Sequence, residues 1–219
     1  MLSVTAFILV HENAGFLEKS ARSIAAQTRR PNRCVILVTD TLPETQQAAE
    51  RWAAEIGTEC FASHESLTCA GSKNWAATIA LTDVFFTLDA DDYLLPDFLR
   101  LCIESMEQSG ADVTGCEYYQ QRDGVIYLNP LAPLSDLYSG NPLPSCSLIR
   151  TASFWKTRGY RDLLYDDWAL WIALHRLDCR LERIAERLMV YVRHGAALTQ
   201  PEKHDYAMQQ LNAYVRGLP

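Results

Sequence analysis

The first half of the chain alternates between short apolar runs and longer amphipathic stretches. The apolar runs predict strands at residues 4–10, 34–38, 59–62 and 84–88. Between and after them, apolar residues recur at helical spacing and predict helices at 16–27, 43–56, 70–81 and 96–108. Strand and helix in regular alternation are typical of an α/β fold with a mainly parallel central sheet flanked by helices. Right-handed crossovers would bring the carboxyl ends of these strands to one edge of the sheet.

The second half has a less regular pattern. Strands are predicted at 112–120, 125–128, 146–149 and 188–192, and helices at 165–177 and 204–215. Residues 129–144 contain four prolines and little periodicity, and we interpret them as a loop or lid. Because no linker or repeat interrupts the pattern, we expect a single domain over residues 1–219.

Composition narrows the class of protein. The chain has 219 residues, of which 48% are hydrophobic and 21% charged, as in ordinary globular proteins. A formal net charge of −7 argues against a nucleic-acid partner. No apolar run approaches the roughly 20 residues that span a bilayer, and no basic leader precedes the first strand. Seven cysteines without a CxxC pair indicate reduced, structural thiols and a cytoplasmic location.

The strongest chemical signal is the end of the strand at 84–88. Three carboxylates, Asp89, Asp91 and Asp92, follow it within four residues. Buried carboxylates in such proximity repel one another, and a divalent cation would neutralise them. Mg²⁺ and Mn²⁺ favour oxygen ligands, commonly one or two carboxylates together with substrate phosphates. The alternative is a helix cap for residues 96–108, although a cap uses only one aspartate.

Five segments carry a resemblance that covers nearly the whole chain. They resemble, in order and spacing, the motifs of family 2 glycosyltransferases, which have the GT-A fold. The segments are Ile-Leu-Val-His-Glu-Asn at 8–13, Gly-Ser-Lys-Asn-Trp-Ala at 71–76, Leu-Asp-Ala-Asp-Asp at 88–92, Tyr-Asp-Asp-Trp-Ala-Leu-Trp at 165–171, and Val-Tyr-Val-Arg-His at 190–194 with Leu198-Thr199. The resemblance implies a donor-nucleotide half at about 1–110 and an acceptor half at about 111–219. It also implies inverting transfer of a sugar from a nucleotide-diphosphate donor to a saccharide or lipid-linked saccharide acceptor.

For the metal, the resemblance implies that Asp91 is a ligand of Mn²⁺ or Mg²⁺, with His194 as a further metal or pyrophosphate contact. Asp92 would lie next to the metal-binding residues without binding the ion itself.

For the donor, a UDP-sugar is expected, and Asp40 would accept from the uracil N3–H. His11 would lie over the base and Lys73 would meet phosphate as a point charge. The remaining donor-binding residues that the resemblance implies are Leu9, Glu12, Asp89 and Ala90. The plainer alternatives are a helix cap for Asp40, a surface loop residue for His11 and a solvated charge for Lys73.

On the acceptor side, Asp167 is the implied general base. Asp166 would orient the start of the helix or the acceptor. Both would also be favoured at a helix start without any catalytic role. Trp171 is expected in the core and Trp168 is expected to stack on sugar.

Some positions depart from the family pattern, and other functions stay open. Leu9 replaces a common proline and Trp75 replaces a small residue. A nucleotidyltransferase and a non-catalytic sugar-nucleotide-binding module are the two alternatives. The sugar, the acceptor and the oligomeric state are left open, and a lipid-linked acceptor would require peripheral contact with a membrane.

Overall fold

The computed structural model describes residues 1–12, 14–194 and 203–218. Its strands are β1 (Val4–Val10), β2 (Arg33–Val38), β3 (Glu59–Ala62), β4 (Val84–Asp89), β5 (Tyr93–Leu94), β6 (Val113–Arg122), β7 (Val125–Asn129), β8 (Leu148–Arg150) and β9 (Leu181–Arg193). Its α-helices are α1 (Leu17–Ala25), α2 (Pro43–Ile56), α3 (Cys69–Thr78), α4 (Phe98–Ser109), α5 (Thr151–Phe154), α6 (Asp166–Arg176) and α7 (His204–Arg216). Short 3-10 turns occur at Ala14–Phe16 and Leu134–Asp136.

All of these strands belong to one sheet in the order β3-β2-β1-β4-β8-β6-β9-β5, with β7 paired to β6. The strands β1 to β4 pair in parallel, as the alternating pattern predicts. Beyond β4 the sheet is mixed, because β8 is antiparallel to both β4 and β6 while β9 is parallel to β6. The α/β class is therefore confirmed, and the expectation of a mainly parallel sheet holds only for the first half. The assignment to a single domain stays a prediction.

Helices cover both faces of the sheet, and β1 shows why. All seven of its residues are buried. Successive side chains of a strand point to opposite faces, so Ile8 packs with apolar residues of α1, α2 and α4, while Phe7 packs with α3, α5, α6 and α7. The two layers leave the carboxyl ends of the strands open at one edge, where ligands of open α/β sheets bind.

Several elements differ from the pattern-based prediction. The two-residue β5 and the one-turn α5 were not expected. The strand predicted at 188–192 extends over Leu181–Arg193. Its first seven residues mix apolar and charged side chains without a buried run, so the pattern did not indicate a strand there, and they join the sheet through pairing with β6. Asn13, Leu198 and Thr199, which contribute to the family resemblance, lie outside the described residues. In the described part of the chain, no helix has the length and apolar character needed to cross a membrane.

Candidate active site

A wide cleft of about 1740 Å³ opens at the carboxyl ends of β1 and β4, between the first turns of α3 and α6. Of the residues expected to form the site, the following line it: Leu9, His11, Glu12, Lys73, Asp89, Ala90, Asp91, Asp166, Asp167 and His194. The exception is Asp40, which is buried beside it. The fold therefore collects residues from five separate segments around one space.

Asp91 and His194 meet at one end of the cleft. The Asp91 Oδ2 atom lies 2.8 Å from His194 Nε2, and both side chains are about one-quarter exposed, at 26% and 24%. Phe16 stacks on the imidazole with ring centroids 4.7 Å apart, which holds the ring in place. The residue that follows β9 thus brings an imidazole nitrogen to the carboxylate cluster at the end of β4.

The other two carboxylates of the cluster have different surroundings. Burial raises the pKa of Asp89 to about 6, with Lys73 acting against the rise and Asp91 adding to it. Asp92 is only 1% exposed, and its Oδ1 accepts a hydrogen bond from Val192 N at 2.8 Å. Burial, followed by the charges of Asp91 and Asp89, raises the Asp92 pKa well above its usual range. Asp92 therefore faces away from the cleft and joins β9 to the loop that bears Asp91.

The donor set at this end suits a divalent cation bound together with its substrate. Within residues 1–12, 14–194 and 203–218, no three His, Cys, Asp or Glu side chains are grouped closely enough to hold a metal ion by themselves. Asp91 and His194 supply one oxygen and one nitrogen. Mg²⁺ and Mn²⁺ commonly take few protein ligands and complete their coordination with phosphate oxygens and water. The residues present fit such an ion when a diphosphate is bound.

Asp40 fixes the backbone at the end of β1. Its Oδ1 accepts from Leu42 N at 2.8 Å, and its Oδ2 accepts from Glu12 N. Glu12 has a φ of +56°, which is uncommon for a residue other than glycine. The carboxylate therefore stabilises a strained turn at the mouth of the cleft. Each of these oxygens keeps a second lone pair, and the contact of Asp40 with a nucleobase stays a prediction.

His11 stands at the tip of β1. Its Nδ1 lies 3.1 Å from Thr39 O, and because a carbonyl oxygen can only accept, Nδ1 is the donor. The side chain is 44% exposed and lines the cleft. The ring is thus held at one edge and is partly exposed to the cleft; its position over a base stays a prediction.

Lys73 is a buried residue of α3, so the alternative interpretation of this lysine as a solvated charge is wrong. Its Nζ donates to both carboxylate oxygens of Asp166 at 2.8 and 2.9 Å, and only 3% of the side chain is exposed. Burial acts to lower the Lys73 pKa, but the negative charges around it, led by Asp166, raise it well above normal. The ammonium therefore stays charged, and any contact with phosphate would be shared with Asp166.

The two aspartates at the start of α6 have distinct environments. Asp166 is 5% exposed and is engaged by Lys73 and by Asp167 N, which donates to its Oδ1 at 2.7 Å. Asp167 is half-buried and lines the cleft; its Oδ1 accepts from Trp168 N at 2.8 Å and its Oδ2 from Asn141 Nδ2 at 3.0 Å. Burial and the charge of Asp166 raise the Asp167 pKa, against the influence of Lys73. Asp167 is therefore the carboxylate better suited to take a proton from a bound ligand.

The sequence profile of Glycosyl transferase family 2 matches residues 5–158, which is more than half of the chain. The chain belongs to glycosyl transferase family 2. No curated protein gave a significant match. The matched range contains the cluster at Asp89–Asp92 but ends before α6 and β9, so the roles of Asp166, Asp167 and His194 depend on the geometry described above.

Solved structures of glycosyltransferases share the fold. S. aureus TarS 1–349 in complex with UDP-GlcNAc superposes with a TM-score of 0.76 at 14% identity, covering 99% of this chain and 67% of that one. Another S. aureus TarS structure gives 0.74 at 13% identity, with 99% and 40% coverage. The mannosyltransferase PcManGT from Pyrobaculum calidifontis, in complex with GDP-Man and Mn²⁺, gives 0.69 at 15% identity, with 94% and 59% coverage. At these identities the likeness establishes the GT-A-type fold, and the chain spans between 40% and 67% of these longer proteins.

Two features of this family 2 member were not predicted from its sequence. Asn141, in the proline-containing loop, donates to Asp167. Tyr165 Oη lies 2.8 Å from His204 Nδ1, so the start of α7 forms part of the cleft wall. Each contact joins segments far apart in the chain, and no local pattern identifies such pairs.

Trp168 contacts the proline-containing loop. Its indole N–H donates to Leu137 O at 2.6 Å, and the side chain packs in the core with a residue exposure of 4%. The residue borders the cleft, but little of its surface is accessible, and stacking on a sugar stays a prediction. The tryptophan joins α6 to the loop that carries Asn141. Trp171 is fully buried, as expected.

Proposed function

We propose that this protein is an inverting glycosyltransferase that moves a sugar from a nucleotide-diphosphate donor, a UDP-sugar, to a saccharide or lipid-linked saccharide acceptor. One observation carries the proposal: a single cleft contains both the Asp91–His194 pair and the cleft-facing carboxylate Asp167. Family membership and the fold of the GT-A neighbours support it.

At the donor end, Asp91 and His194 are the proposed ligands of Mn²⁺ or Mg²⁺. When bound, the ion would act as a Lewis acid and offset the charge that develops on the leaving diphosphate. A neighbour of the same fold is known in complex with GDP-Man and Mn²⁺, which agrees with this assignment. Asp89 and Ala90 would contact the nucleoside beside Leu9, whose carbonyl accepts from Ala90 N at 3.0 Å.

The nucleoside itself would lie against His11 and Glu12. Asp40 would act on the base directly or, through its bonds to the backbone, by holding this turn. Uridine is favoured because TarS, a neighbour of the same fold, is known with UDP-GlcNAc. Lys73, although bonded to Asp166, would contribute positive electrostatic potential at the diphosphate.

At the acceptor end, Asp167 would accept the proton of the attacking hydroxyl. Its raised pKa makes the carboxylate a stronger base than a solvated aspartate. Asp166 would hold the start of α6 through Lys73 rather than react. Attack on the sugar carbon from the side opposite the leaving group would invert the anomeric configuration. We place this reaction in the cytoplasm, where the free cysteines of the chain would persist, and a lipid-linked acceptor would be met at the membrane surface.

A thermal-shift panel of nucleotide sugars, each with and without Mn²⁺, tests the donor assignment. A ligand at 100 times its Kd stabilises the folded state by about 2.7 kcal/mol, which raises Tm by roughly 5–10 °C in a domain of this size. We expect such a rise with a UDP-sugar and Mn²⁺. If no nucleotide sugar shifts Tm under either condition, the proposal is wrong.

The products of the reaction separate the remaining alternatives. A glycosyltransferase releases a nucleoside diphosphate, whereas a nucleotidyltransferase releases pyrophosphate. A module that only binds would show the thermal shift and release neither.

A further inference from the structure

Asn141 makes a side-chain contact with the proposed base. Its amide Nδ2 donates to Asp167 Oδ2 at 3.0 Å. Its own Oδ1 accepts from Leu143 N at 3.3 Å. The amide orientation follows from these two bonds, because only the oxygen can accept from a backbone N–H and only the nitrogen can donate to a carboxylate.

The loop that carries Asn141 is held at several points. Trp168 Nε1 donates to Leu137 O at 2.6 Å, four residues before Asn141. Arg183 Nη1 donates to Ala132 O at 2.7 Å and to Pro142 O at 2.9 Å. Leu143 is fully buried. The amide is therefore presented from a fixed backbone, which is what a precise contact requires, and these bonds argue against a freely moving lid at this point.

We propose that Asn141 is a positioning residue that holds Asp167 Oδ2 in the orientation needed to receive the proton of the acceptor hydroxyl. The inference rests on the proposed function, since it assigns a task to a neighbour of the proposed base. With Oδ1 bound by Trp168 N and Oδ2 bound by Asn141, the carboxylate plane is fixed and one lone-pair direction of Oδ2 stays available to the acceptor. Pre-orientation of this kind lowers the cost of reaching the reactive geometry.

Several charged and titratable groups around Asp167 influence whether its carboxylate is ionised, and the Asn141 amide acts in addition to them. Asp166 on its own helix opposes the ionised form, and Lys73 from α3 favours it. Asp89 at the end of β4, Tyr160 and Tyr165 also feel the Asp167 charge. Because Lys73 is bonded to Asp166, the Asn141 amide is the side-chain donor bonded directly to Asp167 Oδ2, and it stabilises the carboxylate form.

The test compares Asn141→Ala and Asn141→Asp with wild type. Asn141→Ala removes the donor, and Asn141→Asp replaces it with an acceptor of nearly the same shape. We expect kcat of Asn141→Ala to fall about 3- to 10-fold, the scale of one hydrogen bond. The acid limb of the kcat profile should move to higher pH, further in Asn141→Asp. In a protein that already carries Asp167→Asn, adding Asn141→Ala should not lower kcat further, because the carboxylate that Asn141 orients is absent.

Ser135→Ala is the matched control. It lies in the same loop and removes one exposed hydrogen bond, from Ser135 Oγ to Asp136 Oδ1 at 3.0 Å. Its pH profile should equal that of wild type. The donor-induced rise in Tm should be unchanged in all of these variants, which shows that each is folded and still binds its donor.

The pH titration of the Asp167 carboxyl carbon can be followed by ¹³C NMR, with the signal assigned by its loss in Asp167→Asn. This measurement detects the effect of Asn141 without requiring enzymatic turnover. The inference is overturned if Asn141→Ala leaves both the acid limb and the Asp167 titration as in wild type. A wild-type protein that binds no nucleotide sugar overturns the proposed function instead, and the NMR titration then still shows whether Asn141 controls Asp167.

Discussion

Replacing Lys73 by methionine tests the buried ion pair that supports the start of α6. Methionine keeps the length of the side chain and removes its charge. Asp166 then keeps one bond, from Asp167 N to Oδ1, while its Oδ2 loses the donor at 2.9 Å. Both side chains of the pair are nearly inaccessible, at 3% and 7%, so water would replace little of the lost contact.

Removing one member of a buried ion pair costs about 3–5 kcal/mol, because the other charge is left without compensation. For a chain of this length, each kcal/mol corresponds to roughly 2–4 °C in Tm. We therefore expect Lys73→Met to melt about 6–20 °C below wild type. The loss should be largely recovered in Lys73→Met combined with Asp166→Leu, since an apolar pair of similar volume removes the unpaired charge.

The assay is urea denaturation followed by circular dichroism, supported by thermal melts. Glu18→Gln is the control, because Glu18 and Arg22 form an ion pair of 3.0 Å in which both side chains are 60% exposed. Its effect should stay within about 0.5 kcal/mol. The reasoning is refuted if Lys73→Met loses less than about 1 kcal/mol, or if the double variant is as unstable as the sum of its two single changes.

Three further outcomes are expected. Asp167→Asn should slow transfer by about 10²–10⁴-fold with unchanged donor binding in a titration, whereas Asp166→Asn should mainly lower stability; a reversal of this order would exchange their roles. Asp91→Ala should lose Mn²⁺-dependent nucleotide binding while the fold survives, and unchanged affinity by isothermal titration would disprove the ligand assignment. Trp168→Phe should cost about 1–3 kcal/mol by leaving Leu137 O without its donor, and an unchanged unfolding midpoint would count against the loop attachment.

The elements that the sequence predicted well are those that a local pattern determines. Strand β1 and its parallel neighbours are apolar runs between helices, so both their position and their direction could be inferred. The end of β4 was also informative, because three carboxylates within four residues have few structural explanations. Only the second part of β9 was predicted, since residues 181–187 are charged at four of seven positions and join the sheet mainly through pairing with β6.

The contacts between side chains in the site could not be predicted from local sequence patterns. Lys73 and Asp166 are 93 positions apart, and Asn141 and Asp167 are 26 apart. A lysine on an amphipathic stretch and an asparagine in a loop have many ordinary uses. Only the packing of α3, α6 and the loop shows that these residues act on the same helix start.

The position of β9 has a consequence for the order in which the protein folds. Asp92 and Asp91 are bound by Val192 and His194, which follow them by 100 and 103 residues. During synthesis the N-terminal strands leave the ribosome long before β9 exists, and long-range parallel pairing of β6 with β9 closes slowly. The nascent chain therefore carries β4 and its carboxylates for some time before Val192 and His194 can contact them. On the proposed function, we expect newly made molecules to acquire nucleotide affinity in a late kinetic step, which pulse-labelling of refolding chains would resolve.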